Sequence, residues 1–181
     1  MHNDINTKRL ILRRASPDGA RADIAERGFD VALGAQIATQ WPPDLWDAEA
    51  RASTLRGAEG SADDLQTYYI LMKRPNDVPL AVGTIGFHAQ PQDGLVEIGF
   101  SIVPQWQRIG IGAEATEALV RYAFEELGVT TVRAHTFPEL TAAQRVLRKN
   151  GFVHVGPGEQ PDELRFERTC AGEESNPHRS A

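Results

Sequence analysis

The chain has 181 residues and a mass of 19.9 kDa, with a net charge of -6 and an expected isoelectric point of about 5.4. This length suits one domain with a sizeable core, and 41% hydrophobic with 24% charged residues excludes a chain that is disordered throughout. The acidic balance argues against a nucleic-acid coat or a membrane-surface protein, because both need a basic face. The apolar runs are also far shorter than a membrane span requires.

The cysteine and histidine residues indicate the cellular compartment and whether a metal site is expected. The one cysteine, Cys170, cannot form an internal disulfide, so we expect a reduced, cytoplasmic chain. The N-terminus lacks the basic-then-apolar pattern of a signal peptide. No metal site is expected, since His2, His154 and His178 show no ligand spacing with the other histidines.

The predicted elements alternate irregularly between strands and helices. Ser16 and Asp47 precede two predicted helix starts, and Thr141 with Gln144 has the spacing of a capping box for a third. In chain order we expect a strand over 8–14, short helices over 18–38, a helix from 47 to about 56, strands over 67–73, 80–88 and 95–103, a helix over 112–127, a strand over 131–136, a helix from 141 to about 149, and strands over 152–155 and 164–168. This order predicts a mixed α/β (α+β) domain over residues 1–170, followed by a disordered polar tail over 171–181.

The third strand of the central group has the clearest pattern. Apolar residues alternate there with a second set that can face a ligand. The apolar set is Val96, Ile98, Phe100 and Ile102, and the other set is Glu97, Gly99 and Ser101. The helix that follows is apolar over a wide arc, which predicts deep packing against the sheet.

The segment between this strand and this helix has two glycines, Gly110 and Gly112, next to Arg108. Glycines at a helix N-terminus let backbone N–H groups converge on an anion, so a phosphate or pyrophosphate site is one interpretation. A tight turn without a ligand is another. A third is the dinucleotide fingerprint Gly110-x-Gly112-x-x-Ala115, but that fingerprint belongs directly after a strand of repeated βαβ units.

A resemblance to a known family favours the first interpretation. Gln107-x-x-Gly110-x-Gly112 resembles the acetyl-CoA signature of the GCN5-related N-acetyltransferase (GNAT) superfamily. The wider context is similar to the branch that acetylates the N-terminal alanine or serine of ribosomal proteins. The matching stretches are Gly83–Gly86, Val96–Phe100, Glu114–Ala115 and Arg145–Phe152.

The resemblance implies a GNAT-like acyl-CoA N-acyltransferase fold, with a twisted mixed sheet of about 6–7 strands flanked by helices. It implies acetyl-CoA as co-substrate, with its pantetheine arm paired to strand backbone and a backbone N–H near Val103 facing the thioester oxygen. The residues that would bind acetyl-CoA are Ile102 and Val103, for the pantetheine, and Gln107, Arg108, Ile109, Gly110, Ile111, Gly112 and Ala113, for the pyrophosphate.

Glu97 is the candidate base. It shares a strand face with Gly99 and Ser101, and acyl transfer requires that the attacking amine lose a proton. A salt bridge or a substrate-binding carboxylate is the alternative. His88, a candidate substrate residue, and His135 are the next titratable candidates, although a lone strand histidine is more often structural.

One helix departs from the family pattern. Where that branch has proline-x-asparagine-x-x-serine, this chain has Pro138-Glu139-Leu140-Thr141-Ala142-Ala143. Leu140 replaces an asparagine that helps to hold the cofactor, and Ala143 replaces a serine that is often proposed as the general acid. The departure keeps open a non-catalytic, CoA-binding regulatory protein of the same fold.

Trp41 and Trp46 flank a proline-containing loop where the family has substrate-facing elements. A substrate lid, a hydrophobic plug and a dimer contact are the three interpretations. Together these features predict an acetyl-CoA-dependent N-acetyltransferase that acts on a primary amine of a protein N-terminus or a small molecule. A nicotinamide-dinucleotide-binding protein is the less favoured alternative, and a homodimer stays open.

Overall fold

The computed structural model describes residues 4–170; the tail predicted at 171–181 lies outside these residues, as do His2 and His178. Within them there are nine strands: β1 (Ile5–Asn6), β2 (Leu10–Arg14), β3 (Gln36–Ile37), β4 (Gln66–Arg74), β5 (Asp77–Phe87), β6 (Leu95–Ile102), β7 (Thr131–Thr136), β8 (Val153–Pro157) and β9 (Leu164–Thr169). The helices are α1 (Pro17–Ala25), α2 (Phe29–Leu33), α3 (Ala48–Ala58), α4 (Ile111–Glu125) and α5 (Thr141–Lys149), with a 3₁₀ turn over Pro104–Trp106.

All the strands join one mixed sheet in the order β1-β2-β4-β5-β6-β7-β9-β8, and β3 pairs in parallel with β5. Neighbouring strands on the main path are antiparallel except β6 and β7, which are parallel. The mixed fold is therefore confirmed, whereas the expected 6–7 strands were too few. The additional strands, β1 and β3, have two residues each, which is too short to show an alternating pattern.

Two apolar layers cover opposite faces of this sheet. The larger core contains Ile98, Leu119 of α4 and Leu147 of α5. The second core contains Phe29 of α2, Trp46 and Tyr69 of β4. Because side chains alternate along each strand, one strand supplies both layers, and the polar face of β6 lies on the side of α1–α3.

Two of the three predicted helix caps are confirmed. The Ser16 hydroxyl accepts a hydrogen bond from the Gly19 N–H at 3.1 Å, and the Asp47 carboxylate accepts one from the Ala50 N–H at 2.9 Å. Each cap satisfies a backbone donor that the first helical turn leaves unpaired.

The predicted capping box of α5 is wrong. The N-cap is Leu140, without a side-chain hydrogen bond. The Gln144 amide instead donates to the carbonyls of Phe137 at 3.2 Å and Pro138 at 2.9 Å. The amide of Gln144 thus closes the β7–α5 loop by donating to two of its carbonyl groups.

Asp23 organises the second core. Its carboxylate, 2% exposed, accepts hydrogen bonds from the indole N–H groups of Trp41 at 2.9 Å and Trp46 at 2.8 Å. The Tyr69 hydroxyl lies 3.4 Å from it, and burial together with this carboxylate raises the pKa of Tyr69. Arg51 Nε lies 3.9 Å from the same carboxylate. The two indoles are therefore held by one buried charge.

Glu114 of α4 ties the N-terminal segment to the start of its helix. It accepts hydrogen bonds from the Thr7 hydroxyl at 2.6 Å, the Arg9 N–H at 2.8 Å and Arg9 Nε at 2.7 Å. Burial alone would raise the pKa of Glu114, but these bonds outweigh it and hold the pKa below its usual value. Arg9 also donates to the Ile109 carbonyl at 2.9 Å, so the turn before α4 is part of the same tie.

Replacing Asp23 should destabilise the protein strongly. Asp23→Ala leaves two indole N–H groups without their acceptor and a buried arginine without its buried counter-charge, so we expect the free energy of unfolding to fall by about 3–5 kcal/mol in urea titrations. Glu26→Ala removes the exposed second partner of Arg51 and should cost about 1 kcal/mol or less. Equal losses in the two variants would contradict the role assigned to Asp23.

Glu114→Gln should cost about 1–3 kcal/mol at pH 7, because a neutral amide is a weaker acceptor for Arg9. The wild-type pKa is depressed, so the stabilisation is complete above the ordinary value of 4.5 and is lost as the pH falls through the folded pKa. The difference in unfolding free energy should therefore shrink in acid. Glu117 lies on the same helix as Glu114 and forms an exposed ion pair with Arg168 of β9. Glu117→Gln should change the free energy of unfolding by about 1 kcal/mol or less at any pH.

Candidate functional site

The parallel strands β6 and β7 separate before either of them ends. Their pairing runs from Leu95 and Thr131 to Ile98 and Ala134, although β6 continues to Ile102. Beyond this point β6 is paired only with β5. Two diverging strands leave a wedge between them, with backbone groups on both edges that no strand partner satisfies.

The backbone groups of β6 alternate between its two neighbours. The Val103 N–H donates to the Val82 carbonyl at 2.9 Å, so the odd-numbered residues face β5. The N–H groups of Phe100 and Ile102 consequently face the wedge. The donor expected near Val103 is therefore not Val103 itself, whose N–H is already engaged.

The segment predicted to bind phosphate forms the turn from β6 into α4. Arg108 and Gly110 both have left-handed backbone, with φ of 64° and 84°. Gly110 is the N-cap of α4 and makes no side-chain hydrogen bond to the first turn. An uncapped helix N-terminus offers N–H groups and a partial positive charge to an anion.

The predicted acetyl-CoA residues form one continuous arc from the end of β6 to the first turn of α4, but they differ in what they can offer. Gln107 donates one amide N–H of its side chain to the Ile102 carbonyl at 2.8 Å and its backbone N–H to the Pro104 carbonyl at 3.2 Å, so two of its three N–H groups are engaged within the protein. Arg108 is exposed and supplies the cation of the arc. A Cβ at Gly112 would meet Val146 at 3.5 Å, an ordinary contact, so internal packing does not require glycine there.

A cavity of about 440 Å³ lies at the wedge. The strands β5, β6 and β7 form its floor, α3 and the 45–46 loop form one wall, and α5 with the β8–β9 turn forms the other. This volume falls within the range of about 300–1,000 Å³ that is usual for small-molecule sites.

Three titratable side chains meet in this cavity. Glu97 Oε1 lies 3.1 Å from His135 Nδ1 and 3.6 Å from His88 Nδ1. The His135 side chain is 10% exposed and its Nε2 has no hydrogen-bond partner within residues 4–170, whereas His88 is half exposed. The structure thus places the predicted base between both predicted histidines, an arrangement that the sequence did not specify.

Ser101, which shares the ligand-facing side of β6 with Glu97, also fixes a loop. Its hydroxyl donates to the Asp44 carbonyl, so the 41–46 loop is attached to the C-terminal end of β6, on the strand face that carries Glu97. Trp46, 7% exposed, lines the cavity next to this attachment. Trp41 lines a separate cavity of about 630 Å³, and the two indoles therefore do not form one lid.

The two departures from the family pattern both face the cavity. Leu140 and Ala143 line it on the α5 side. Ala143 offers no hydroxyl there. The Thr136 hydroxyl is buried on the same strand as His135, lines the cavity and has no hydrogen-bond partner in the described part of the chain.

Two functional candidates were missed in the sequence. Asp23 holds Trp46 in the cavity wall, and Glu163 lines the cavity from the turn before β9. Asp23 lies between Ala22 and Ile24, Glu163 directly follows Asp162, and neither is part of a recognisable motif. A buried position was the only distinguishing feature, and only the fold reveals it.

Metal and membrane features were also searched. In residues 4–170, no group of three or more His, Cys, Asp or Glu side chains is arranged to hold a metal ion. In the same range, no helix has the length and apolar character needed to cross a membrane.

Comparison with known proteins agrees with the fold. The chain is 38% identical over 81 residues to the uncharacterized N-acetyltransferase YoaA of Bacillus subtilis, a match that covers 44% of this chain and 46%, about half, of that relative. It is 23% identical over 152 residues to YnaD, another uncharacterized N-acetyltransferase of Bacillus subtilis, covering 84% of each chain.

A solved structure adds a match in fold. The ribosomal L7/L12 alpha-N-protein acetyltransferase RimL, in complex with coenzyme A, superimposes with a TM-score of 0.66 at 18% identity, over 92% of this chain and 98% of that one. Residues 9–153 match the family described as the acetyltransferase (GNAT) domain. Because this match covers most of the sequence and agrees with the fold, the chain belongs to the GNAT family of N-acetyltransferases.

Proposed function

We propose that this protein transfers an acetyl group from acetyl-CoA to a primary amine, with Glu97 as the base that accepts the proton of the amine. One observation carries the proposal: the Glu97 carboxylate lies in a cavity at the wedge where β6 and β7 separate. A carboxylate at that point is close to both strand edges. Family membership supports the reaction class, and the cavity supports the assignment of the residues.

The residues around the wedge fit acetyl-CoA in two respects. The N–H groups of Phe100 and Ile102 can bind the amide oxygens of an extended arm, as an added strand would. The uncapped N-terminus of α4, with the exposed cation of Arg108 beside it, suits a pyrophosphate. Acetyl-CoA would supply the acetyl group as an activated thioester.

The cavity also fits an amine at Glu97. A primary amine is mostly protonated near neutral pH, and it must lose a proton before its lone pair can attack a carbonyl carbon. Glu97 can hold the ammonium by charge and then accept its proton. The imidazoles of His88 and His135 lie 3.6 Å and 3.1 Å from the carboxylate and so limit the positions that it can adopt.

Glu97→Gln should therefore lower kcat by about 10²–10⁴-fold, because the amide cannot accept the proton. Coenzyme A affinity, measured by calorimetry, should stay within about threefold. The assay follows thiol release with a panel of primary amines.

The matched control is Glu167→Gln, which removes a carboxylate that pairs with Arg133 on the same sheet face. This residue is not among those that line the cavity, and kcat should change less than about threefold. A Glu97→Gln enzyme with normal kcat would contradict the proposed base.

Thr136 is the hydroxyl best placed to compensate for Ala143. We expect its buried Oγ1 to donate a hydrogen bond to the departing thiolate. Thr136→Val should then lower kcat about tenfold, the value of one hydrogen bond to a charged group. Ala143→Ser in the Thr136→Val background should recover part of the loss, and an unchanged kcat in Thr136→Val would contradict this role.

A further inference from the structure

The cavity lining is rich in acidic side chains. Glu97, Glu159 and Glu163 line it, and no Lys or Arg is among the described residues that do so. A cleft lined by charges of one sign with apolar walls attracts the opposite charge. One ammonium group at Glu97 uses only one of these carboxylates.

Glu163 is the least expected of the three. It is 8% exposed, and its Oε2 accepts hydrogen bonds from the N–H groups of Glu159 at 2.8 Å and Gln160 at 3.2 Å. Within residues 4–170 it forms no ion pair with a Lys or Arg, and its Oε1 accepts no hydrogen bond from the protein. Oε2 is thus satisfied by the loop, whereas the negative charge has no side-chain cation beside it in the part of the chain that the structure describes, and a ligand cation can supply that partner.

The strand register separates Glu163 from Glu97. Glu97 is level with Arg133 of β7, and Arg133 is level with Glu167 of β9. Glu163 lies four residues before Glu167, which is about 13 Å along the strand direction. The cavity therefore has a carboxylate near each end of its polar side, rather than one cluster.

We propose that the acceptor carries a second cationic group, an ammonium or a guanidinium, which Glu163 binds while the reacting amine lies at Glu97. This inference rests on the proposed function. The loop hydrogen bonds leave Oε1 of Glu163 for the ligand, so closing the turn and binding a cation do not compete. The second cation selects the acceptor, and the proton transfer stays at Glu97.

The test reads binding rather than turnover. Calorimetry on the complex of the protein with CoA compares α,ω-diamines of five to eight carbons, whose extended lengths suit this separation, with the n-alkylamine of each length. We expect the best diamine to bind at least tenfold more tightly than its monoamine, the value of a charge-assisted hydrogen bond. Equal affinity of diamines and monoamines at every length would overturn the inference.

Glu163→Gln keeps an oxygen that can accept from the loop N–H groups while it removes the charge. It should reduce diamine affinity at least tenfold and monoamine affinity less than threefold. Asp162→Asn, its exposed neighbour outside the cavity, is the control for loop charge and should change neither. Equal losses of diamine and monoamine affinity in Glu163→Gln would overturn the inference, since they indicate a purely structural carboxylate.

A further pair of ligands distinguishes a peptide acceptor from a small-molecule acceptor. Alanyl-lysine amide and alanyl-norleucine amide differ only in the side-chain ammonium. Tighter binding of alanyl-lysine amide supports a protein N-terminus with a basic residue as the acceptor. A preference for diamines without a preference for alanyl-lysine amide supports a small-molecule acceptor. If neither cationic ligand is preferred, the inference fails. If acetyl-CoA does not bind, or no amine is acetylated, the proposed function fails, and the binding comparison still decides whether Glu163 recognises a cation.

Discussion

The early end of the pairing between β6 and β7 is the constraint on which the rest of the site depends. A parallel pair normally satisfies backbone groups along its whole length, and here the bonds stop at Ile98 and Ala134. The sheet tolerates this because β5 still holds β6 to its end. The unpaired edges, the cavity and the exposed start of α4 all lie at the same end of the two strands.

The charged groups around the gap between β6 and β7 differ in sign from one part to the other. The turn before α4 offers N–H groups and Arg108, and so favours an anion. The polar face of β6 and the turn before β9 offer carboxylates, and so favour cations. In the proposed reaction, an anionic donor and a cationic acceptor would be attracted to these two different parts of one gap.

The sequence predicted those parts of the fold that rest on local periodicity and capping. The alternation in β6 and the apolar arc of α4 appear within two residues of the expected bounds, and Ser16 and Asp47 cap helices as expected. What it could not predict depends on contacts between distant residues. The alternation of β6 placed Glu97 on the polar face, but only the pairing of β5 and β7 with β6 brings His88 and His135 to it. Asp23 and Glu163 resemble ordinary surface acids until the chain is folded, and Gln144 fits a capping motif whose loop uses it differently.

The contact of Thr7 and Arg9 with Glu114 joins residues more than a hundred positions apart. A contact over such a sequence separation carries a large loop-closure entropy. Because Arg9 also donates to the Ile109 carbonyl, the turn before α4 is stabilised by the docking of residues 7–10. By thermodynamic linkage, an anion that binds the turn before α4 also stabilises the docked N-terminal segment. The rate at which a protease cleaves that segment therefore reports whether the anion is bound.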